Sequence, residues 1–287
     1  MKTLDKWPIK TIEQINFPEH LKRIKNCPKF LNYRGNWDNN IFEKSIAIVG
    51  SRRMSQYGKS VIEKFVPELV VHKFTVISGF MYGVDTAAHN ETVECGGITV
   101  AVLGGGLNVF TPAENEKLYW EILNKGGLII SEYENDFLPT RWSFPQRDRL
   151  LAGLSHDGVL VIEATMMSGS LITARLCQEQ GKKLYAVPGP INYSLSIGVN
   201  YLIKEKGATM ATCPEDITNK KTSFDQLSFA IVDPLEKLIM ENLSIESLTT
   251  DELAKKLNKN ISLVMQKLMI MNMENKVTEN LGKWGRL

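Results

Sequence analysis

Short apolar runs alternate with amphipathic stretches through the middle of the chain. Ile46-Ala47-Ile48-Val49 ends in Gly50, and helical periodicity follows from about Gly58 to Val71. Phe74-Thr75-Val76-Ile77 ends in Ser78-Gly79, and helix-like residues 84–95 come next. Ile98–Leu103 runs into Gly104-Gly105-Gly106, and Leu128-Ile129-Ile130, Val159–Ile162 and Leu184–Val187 repeat the scheme. Short β-branched runs that alternate with helices predict βαβ crossovers and a parallel sheet buried on both faces. Such crossovers are right-handed, and ligands dock at the carboxyl ends of the strands. The glycine- and polar-rich loops fall at those ends. The predicted fold class is α/β, a Rossmann-like parallel sheet flanked by helices.

The pattern changes on either side of this block. Residues 1–44 carry Pro8, Pro18, Pro28 and a Tyr33-Arg34-Gly35-Asn36 turn, and read as an irregular N-terminal lead-in. The sheet domain is assigned to 45–217. A polar linker, 218–232, contains Lys220-Lys221. Within 233–287, residues 234–242 predict a helix, and Thr249-Thr250-Asp251-Glu252 has the spacing of a capping box. Leu253, Ala254 and Leu257 recur at helical spacing. Asn258-Lys259-Asn260 turns into a second stripe of Ile261, Val264, Leu268 and Met271. Residues 277–285 read as a hairpin. Three helices and a hairpin predict a small winged-helix domain.

Composition narrows the class. Of 287 residues, 43% are hydrophobic and 23% charged, the balance of a soluble globular protein. No apolar run approaches the ~20 residues that span a bilayer. The first 30 residues are too charged for a secretory leader. Cys27, Cys95, Cys177 and Cys213 form no CxxC pair, so neither zinc nor a disulfide framework is expected. The expected location is cytoplasmic. Net charge is +2, spread unevenly. The lead-in has nine Lys/Arg against five Asp/Glu, the sheet domain fifteen against eighteen, and residues 233–287 eight against eight. Diffuse basic charge cannot hold nucleic acid here; local clusters must do it.

Three stretches offer such clusters. The first βα turn is Gly50-Ser51-Arg52-Arg53. Backbone N–H groups at a helix start beside two arginines suit a phosphate, although any parallel α/β turn needs glycine. The turn is not a GxGxxG fingerprint, so NAD or FAD is not expected and no cofactor is assigned. Ser168-Gly169-Ser170-Leu171-Ile172-Thr173 is a second small-residue loop feeding a helix. Two such loops make one anion pocket; a plain N-cap by Ser168 or Ser170 is the alternative. The densest stretch joins Trp142 and Phe144 to Arg141, Arg147 and Arg149 around Asp148. Rings that stack bases beside cations that hold phosphates suit a single strand. The alternative is a helix start whose arginines pair with Asp148 or Glu163. The expectation is one site, with phosphates on Arg52, Arg53 and Arg147. Asp85 and His89, four apart on a predicted helix, read as structural. Glu114 and Glu116 read as helix N-terminal charges, and the methionines of 265–273 as helix core.

In order along the chain, these pieces resemble the DprA/Smf family of DNA-processing proteins. The resemblance is carried by Phe17-Pro18, Ile46–Arg52, Ser78–His89, Val102–Gly106, Pro112–Asn115, Ser131-Glu132, Phe144–Arg149, Ser168–Ala174, Val187–Gly189 and Gly198–Ile203. It spans roughly residues 17–217. It implies an extended Rossmann fold, a homodimer, single-stranded DNA as ligand, and delivery of that DNA to RecA recombinase during natural transformation. It implies no catalysis. By position, Ser51, Arg52 and Arg53, the Arg141–Arg149 stretch and the Ser168–Thr173 loop would line the pocket. The chain departs from the family at Asp148, where the family has Asn. A carboxylate there repels a phosphate ~4 Å away by several kcal/mol at an effective dielectric near 20, unless Arg147 or Arg149 neutralises it. Met81 and Val84 stand where the family usually has Ala and Ile.

Two other classes compete. The fold also resembles that of the Lonely Guy-type phosphoribohydrolases, whose PGGxGTxxE motif has no counterpart in Met166–Thr173. A protein that senses a nucleotide in this pocket and signals through the C-terminal unit is the other.

Overall fold

The computed structural model describes residues 6–219, 234–243, 246–273, 276–280 and 282–286. It divides into two compact units, 1–221 and 222–287. The linker assigned to 218–232 lies outside the described residues from Lys220 onward.

The first unit is one nine-stranded sheet between two layers of helices. Its strands are β1 (Lys10–Glu13), β2 (Phe30–Gly35), β3 (Ser45–Val49), β4 (Thr75–Ser78), β5 (Thr99–Leu103), β6 (Leu128–Ser131), β7 (Val159–Val161), β8 (Leu184–Ala186) and β9 (Thr209–Met210). They lie in the order β1-β2-β6-β5-β4-β3-β7-β8-β9. From β6 to β9 every pairing is parallel. The helices between them are α1 (Gln56–Val71), α2 (Val84–Glu94), α3 (Glu116–Asn124), α4 (Ser143–Leu154), α5 (Ser170–Glu179) and α6 (Ser194–Lys206).

The central strands are buried along their whole length, which explains their unbroken apolar runs. Alternate residues serve opposite faces. Ile46 and Ile48 pack with Val61, Phe65 and Leu69 of α1 and Val84 of α2. Ala47 and Val49 pack with Leu150, Leu151 and Leu154 of α4 and Ala174 of α5. The α3 residues Tyr119, Ile122 and Leu123 cover Ala101 and Ile129 on the α1 side.

The stretch read as an irregular lead-in contributes β1 and β2. Arg34 of β2 pairs with Ile129 of β6 in antiparallel register, and Ile12 of β1 pairs with Leu31. Each strand is only 4–6 residues long and flanked by Pro8, Pro18 and Pro28, so no extended alternation announces it. Phe17, Leu21, Ile24 and Leu31 reach the main core from this segment.

The second unit has three helices, α7 (Pro234–Leu243), α8 (Thr250–Leu257) and α9 (Ile261–Met273), and a hairpin of β10 (Val277–Asn280) and β11 (Lys283–Arg286). The capping box forms as spaced. Thr249 Oγ1 accepts from Glu252 N at 3.2 Å, and Glu252 Oε2 accepts from Thr249 N at 2.8 Å. Leu253, Leu268, Met271 and Trp284 are in its core. Met269, expected there too, is 53% exposed. Among the described residues no helix is long and apolar enough to cross a membrane.

Candidate nucleic-acid interface

The chain order of the parallel strands reverses between β3 and β7. From β3 it runs one way through β4, β5 and β6, then crosses back by α4 to β7 and continues the other way. Loops leaving β3 and β7 diverge there and open a crevice at their carboxyl ends. It encloses about 850 Å³. Twelve of the fourteen residues expected at the site line it: Gly50, Ser51, Arg52, Arg53, Arg141, Phe144, Arg147, Asp148, Ser168, Gly169, Ser170 and Thr173. Residues separated by more than a hundred positions therefore share one wall.

The rim is cationic. Arg52 and Arg53 come from the β3–α1 turn and Arg141 from the loop before α4, and all three are exposed. Among the described residues none of the three makes an ion pair. The Arg52 guanidinium lies 5.1 Å from the centroid of the half-buried Phe144 ring, within cation–π range. The turn that carries the arginines is fixed from below. Ser51 Oγ accepts from Arg53 N at 3.0 Å, and Ser51 O accepts from Val84 N at 3.1 Å. Gly83 approaches so closely, at φ 74°, that a Cβ there would overlap the Ser51 carbonyl oxygen. That close approach demands the glycine.

The start of α1 corrects one expectation. Its terminus is not open to a phosphate, because the Glu163 carboxylate fills it. Glu163 Oε2 accepts from Ser55 N at 2.9 Å and Oε1 from the Ser55 hydroxyl. Ser55 Oγ in turn caps α1 by accepting from Gly58 N at 3.1 Å. An internal anion occupies the place an external one would take. The arginines of the preceding turn remain free, so the cationic role moves from helix terminus to side chains. At α5 the situation differs. Gly169 is the N-cap, the Ser170 N–H leans on Ser168 Oγ at 3.4 Å, and the next two N–H groups donate to the Ser168 and Gly169 carbonyl oxygens. Ser168 and Ser170 share a hydroxyl–hydroxyl hydrogen bond of 2.7 Å beside this terminus.

The floor is built from α4, and Arg147 is part of it rather than a phosphate ligand. Its side chain is 4% exposed. Nη1 donates to the carbonyl oxygens of Gly79 (2.6 Å) and Val102. Nε donates to Asp148 Oδ1 at 3.1 Å. Asp148 also takes a hydrogen bond from Thr173. Asp85 completes the floor from α2, its Oδ2 accepting weakly from Met81 N at 3.3 Å. Burial drives both carboxyl groups above the ordinary range, Asp85 to about 6, while the Arg147 guanidinium works against the rise.

Arg149 and Trp142 stand outside the crevice. Arg149 is turned away along α4, where Nη2 pairs with Glu132, Nε donates to Asn26 O at 3.1 Å and Nη1 to Gln146 O at 2.9 Å. It ties α4 to the N-terminal segment. On a helix, positions two apart face different ways, so Arg147 and Arg149 could not both enter one pocket. Trp142 is 57% exposed and rests on Tyr133 and Phe137. His89 is fully buried on α2, bonded to Thr99 Oγ1 at 2.7 Å and not to Asp85. Thr99 spends its own proton on Val76 O, so His89 Nδ1–H is the donor and Nε2 faces the core unpaired. The crevice also takes Tyr193 from the β8–α6 loop and Ser194 and Leu195 from the first turn of α6, which no sequence motif singled out. Their position after a third parallel strand was the available clue. Among the described residues no group of three His, Cys, Asp or Glu is placed to hold a metal.

A doubly wound sheet with a crevice at its switch point places the chain in the class of Rossmann-like α/β proteins, here with an arginine rim. The family model of DNA recombination-mediator protein A matches residues 8–222. DNA processing protein DprA of Streptococcus pneumoniae is 40% identical over 216 residues, 75% of each chain. Protein Smf of Escherichia coli is 42% identical over 172 residues, which are 60% of this chain and 46% of that one. The S. pneumoniae DprA crystal structure superposes with TM-score 0.67 at 36% identity, covering 77% of this chain and 76% of that one. DNA processing protein A of Helicobacter pylori, described for its single-stranded DNA binding mode, gives 0.67 at 32% identity over 76% of this chain and 97% of that one. The chain belongs to the DNA recombination-mediator protein A family, the DprA/Smf proteins.

Proposed function

We propose that this chain binds single-stranded DNA across the crevice of its first unit and, as a homodimer, protects the strand and helps load a RecA-type recombinase on it. The observation that carries the reading is the convergence of Arg52, Arg53 and Arg141, none ion-paired among the described residues, on one rim. Phosphate neutralisation by such side chains supplies most of the affinity for a single strand. Arg52, Arg53 and Arg141 hold phosphates, and the Ser168–Ser170 hydroxyl pair at the start of α5 offers a further donor. Phe144 within the crevice and the exposed Trp142 beside Arg141 offer faces for bases, which stack only when unpaired. Preference for a single strand over duplex follows.

The experiment is a mobility shift with oligo-dT, with unlabelled duplex of equal length as competitor. Binding that resists the duplex supports the reading, and equal competition sinks it. Recombinase loading is tested separately, by the rate at which RecA forms filaments on single strands with and without the chain. No acceleration at saturating chain removes the mediator part and leaves the binding part standing.

A further inference from the structure

We propose that the floor of the crevice selects the base, with Asp148 as the specificity-determining residue and guanine as the base it favours; this rests on the single-strand reading above. The layout of charge points there. The exposed cations, Arg52, Arg53 and Arg141, are all at the rim. The floor sets two carboxylates, Asp85 and Asp148, against one guanidinium. Three donor bonds of Arg147 are already committed, to Gly79, Val102 and Asp148. Two carboxylates against the two N–H groups left on Arg147 give the floor a surplus of acceptors, and the carboxylates repel a phosphate that descends toward it. A nucleotide in the crevice keeps its phosphate at the rim and turns its base inward. A volume of about 850 Å³ is ample for one.

The acceptor geometry then discriminates between bases. A carboxylate has about four acceptor sites on two oxygens. Asp148 uses one for Arg147 Nε and another for Thr173, and still borders the crevice. Guanine presents N1–H and an N2 amino hydrogen side by side, a pair that a carboxylate accepts in parallel. Thymine presents a single N–H between two carbonyl oxygens. A carboxylate reaching that donor meets a lone pair on either side. Cytosine and adenine, with one amino group beside a ring-nitrogen acceptor, fall between.

The test uses the full-length chain at one salt concentration and two oligomers of equal length. One is all thymine; the other carries isolated guanines, spaced so that no quadruplex forms. Fluorescence anisotropy of the unaltered chain should show the guanine strand binding about tenfold tighter, the scale of one charge-assisted hydrogen bond. Inosine, which lacks the N2 amino group, should return the affinity to within about threefold of the all-thymine strand. Asp148→Asn keeps an oxygen for Arg147 and replaces the other with a donor, and should shrink the guanine preference to about twofold or less. Arg52→Ala should weaken both strands alike. Equal binding of the two oligomers, or thymine preferred, by the unaltered chain overturns base selection and leaves the single-strand reading intact. A preference that survives in folded Asp148→Asn overturns the assignment to that residue. Failure of both oligomers to bind overturns the single-strand reading, and the inference with it.

Discussion

The floor and the rim of the crevice both carry arginine, and the two arginine sets do opposite work. At the floor Arg147 is buried, its Nε and Nη1 already donating to protein oxygens, and the side chain is a structural tie between β4, β5 and α4. At the rim Arg52, Arg53 and Arg141 face water without a carboxylate partner among the described residues. A buried guanidinium must be paired, since an unpaired one is costly. An exposed one stays free to meet a ligand. The same residue type is thus structural at one depth and open to a ligand at the other. Substitutions at the two depths should separate stability from binding.

The largest effect belongs to the floor. Arg147→Ala would strand Asp85 and Asp148 without their counter-ion and leave the Gly79 and Val102 carbonyl oxygens unsatisfied. Breaking a buried pair by removing one partner costs about 3–5 kcal/mol. Urea unfolding should show a loss of that size. Arg52→Ala at the rim should change stability by no more than ~0.5 kcal/mol, as exposed substitutions do. Comparable losses for the two variants would erase the distinction.

Acid should act on the interior next. Burial pushes His89 down to about 3 from an ordinary 6.5, and the neighbouring Arg147 charge adds to it. The unfolded chain takes up this proton more readily, so the contribution is present above 6.5 and is lost as pH falls toward 3. Asp85, raised to about 6, works the other way: its neutral form is favoured, so its contribution is present below 3.8 and is lost as pH rises through 6. His20, lowered to about 4 by burial and by Lys182, has the same sign as His89. Stability should therefore fall on acidification below pH 6.5, by on the order of a few kcal/mol. His89→Gln should flatten that limb in urea titrations between pH 7 and 4, and an unchanged limb would exclude His89 as its source.

These depths were only partly legible in the chain. Period and glycine placement located the parallel strands and the loops at their carboxyl ends, because burial on both faces imposes unbroken apolar runs. That is why twelve expected residues meet in one crevice. What sequence could not rank was the side chains of one motif. Arg147 and Arg149 sit two apart among the same neighbours. Only the carbonyl oxygens of Gly79 and Val102, and the carboxylate of Glu132, decide that the first enters the crevice floor and the second turns away from it. Glu163 is a like case: its bonds to Ser55, 108 positions away, close the α1 terminus, and no local pattern announces that. The antiparallel strands β1 and β2 were missed because four to six residues with prolines on either side give no measurable alternation.

At the rim the expected effects are on binding. Each phosphate that a variant no longer neutralises on a single strand should shallow the log–log salt dependence by about 0.7. Arg52→Ala and Arg53→Ala should each weaken oligo-dT binding about tenfold at low salt, equivalent to about 1.4 kcal/mol, and reduce the slope by that amount. Glu163→Gln should leave the slope unaltered, since α1 holds no phosphate. Full affinity and slope in both arginine variants would move the strand elsewhere.

The smallest effect is expected from removing the second unit. A helix that grips phosphates is basic, and α9 is not. Its exposed positions include Ile261, Leu263, Met269 and Ile270. Its one lysine, Lys267, is bound to Glu236 at 3.0 Å, and Lys276 just beyond it meets the same carboxylate at 2.6 Å. Lys256 of α8 pairs with Glu246. Residues 233–287 carry eight Lys/Arg and eight Asp/Glu, so no net charge draws a strand to them. If the rim supplies the affinity, truncation after Lys221 should change oligo-dT binding by less than about threefold and leave the salt slope intact. A loss beyond about tenfold, with a shallower slope, would mean that phosphates are held by the second unit as well. A loss with an unchanged slope would separate the two units differently, assigning to the apolar face of α9 a share of the affinity that salt does not screen.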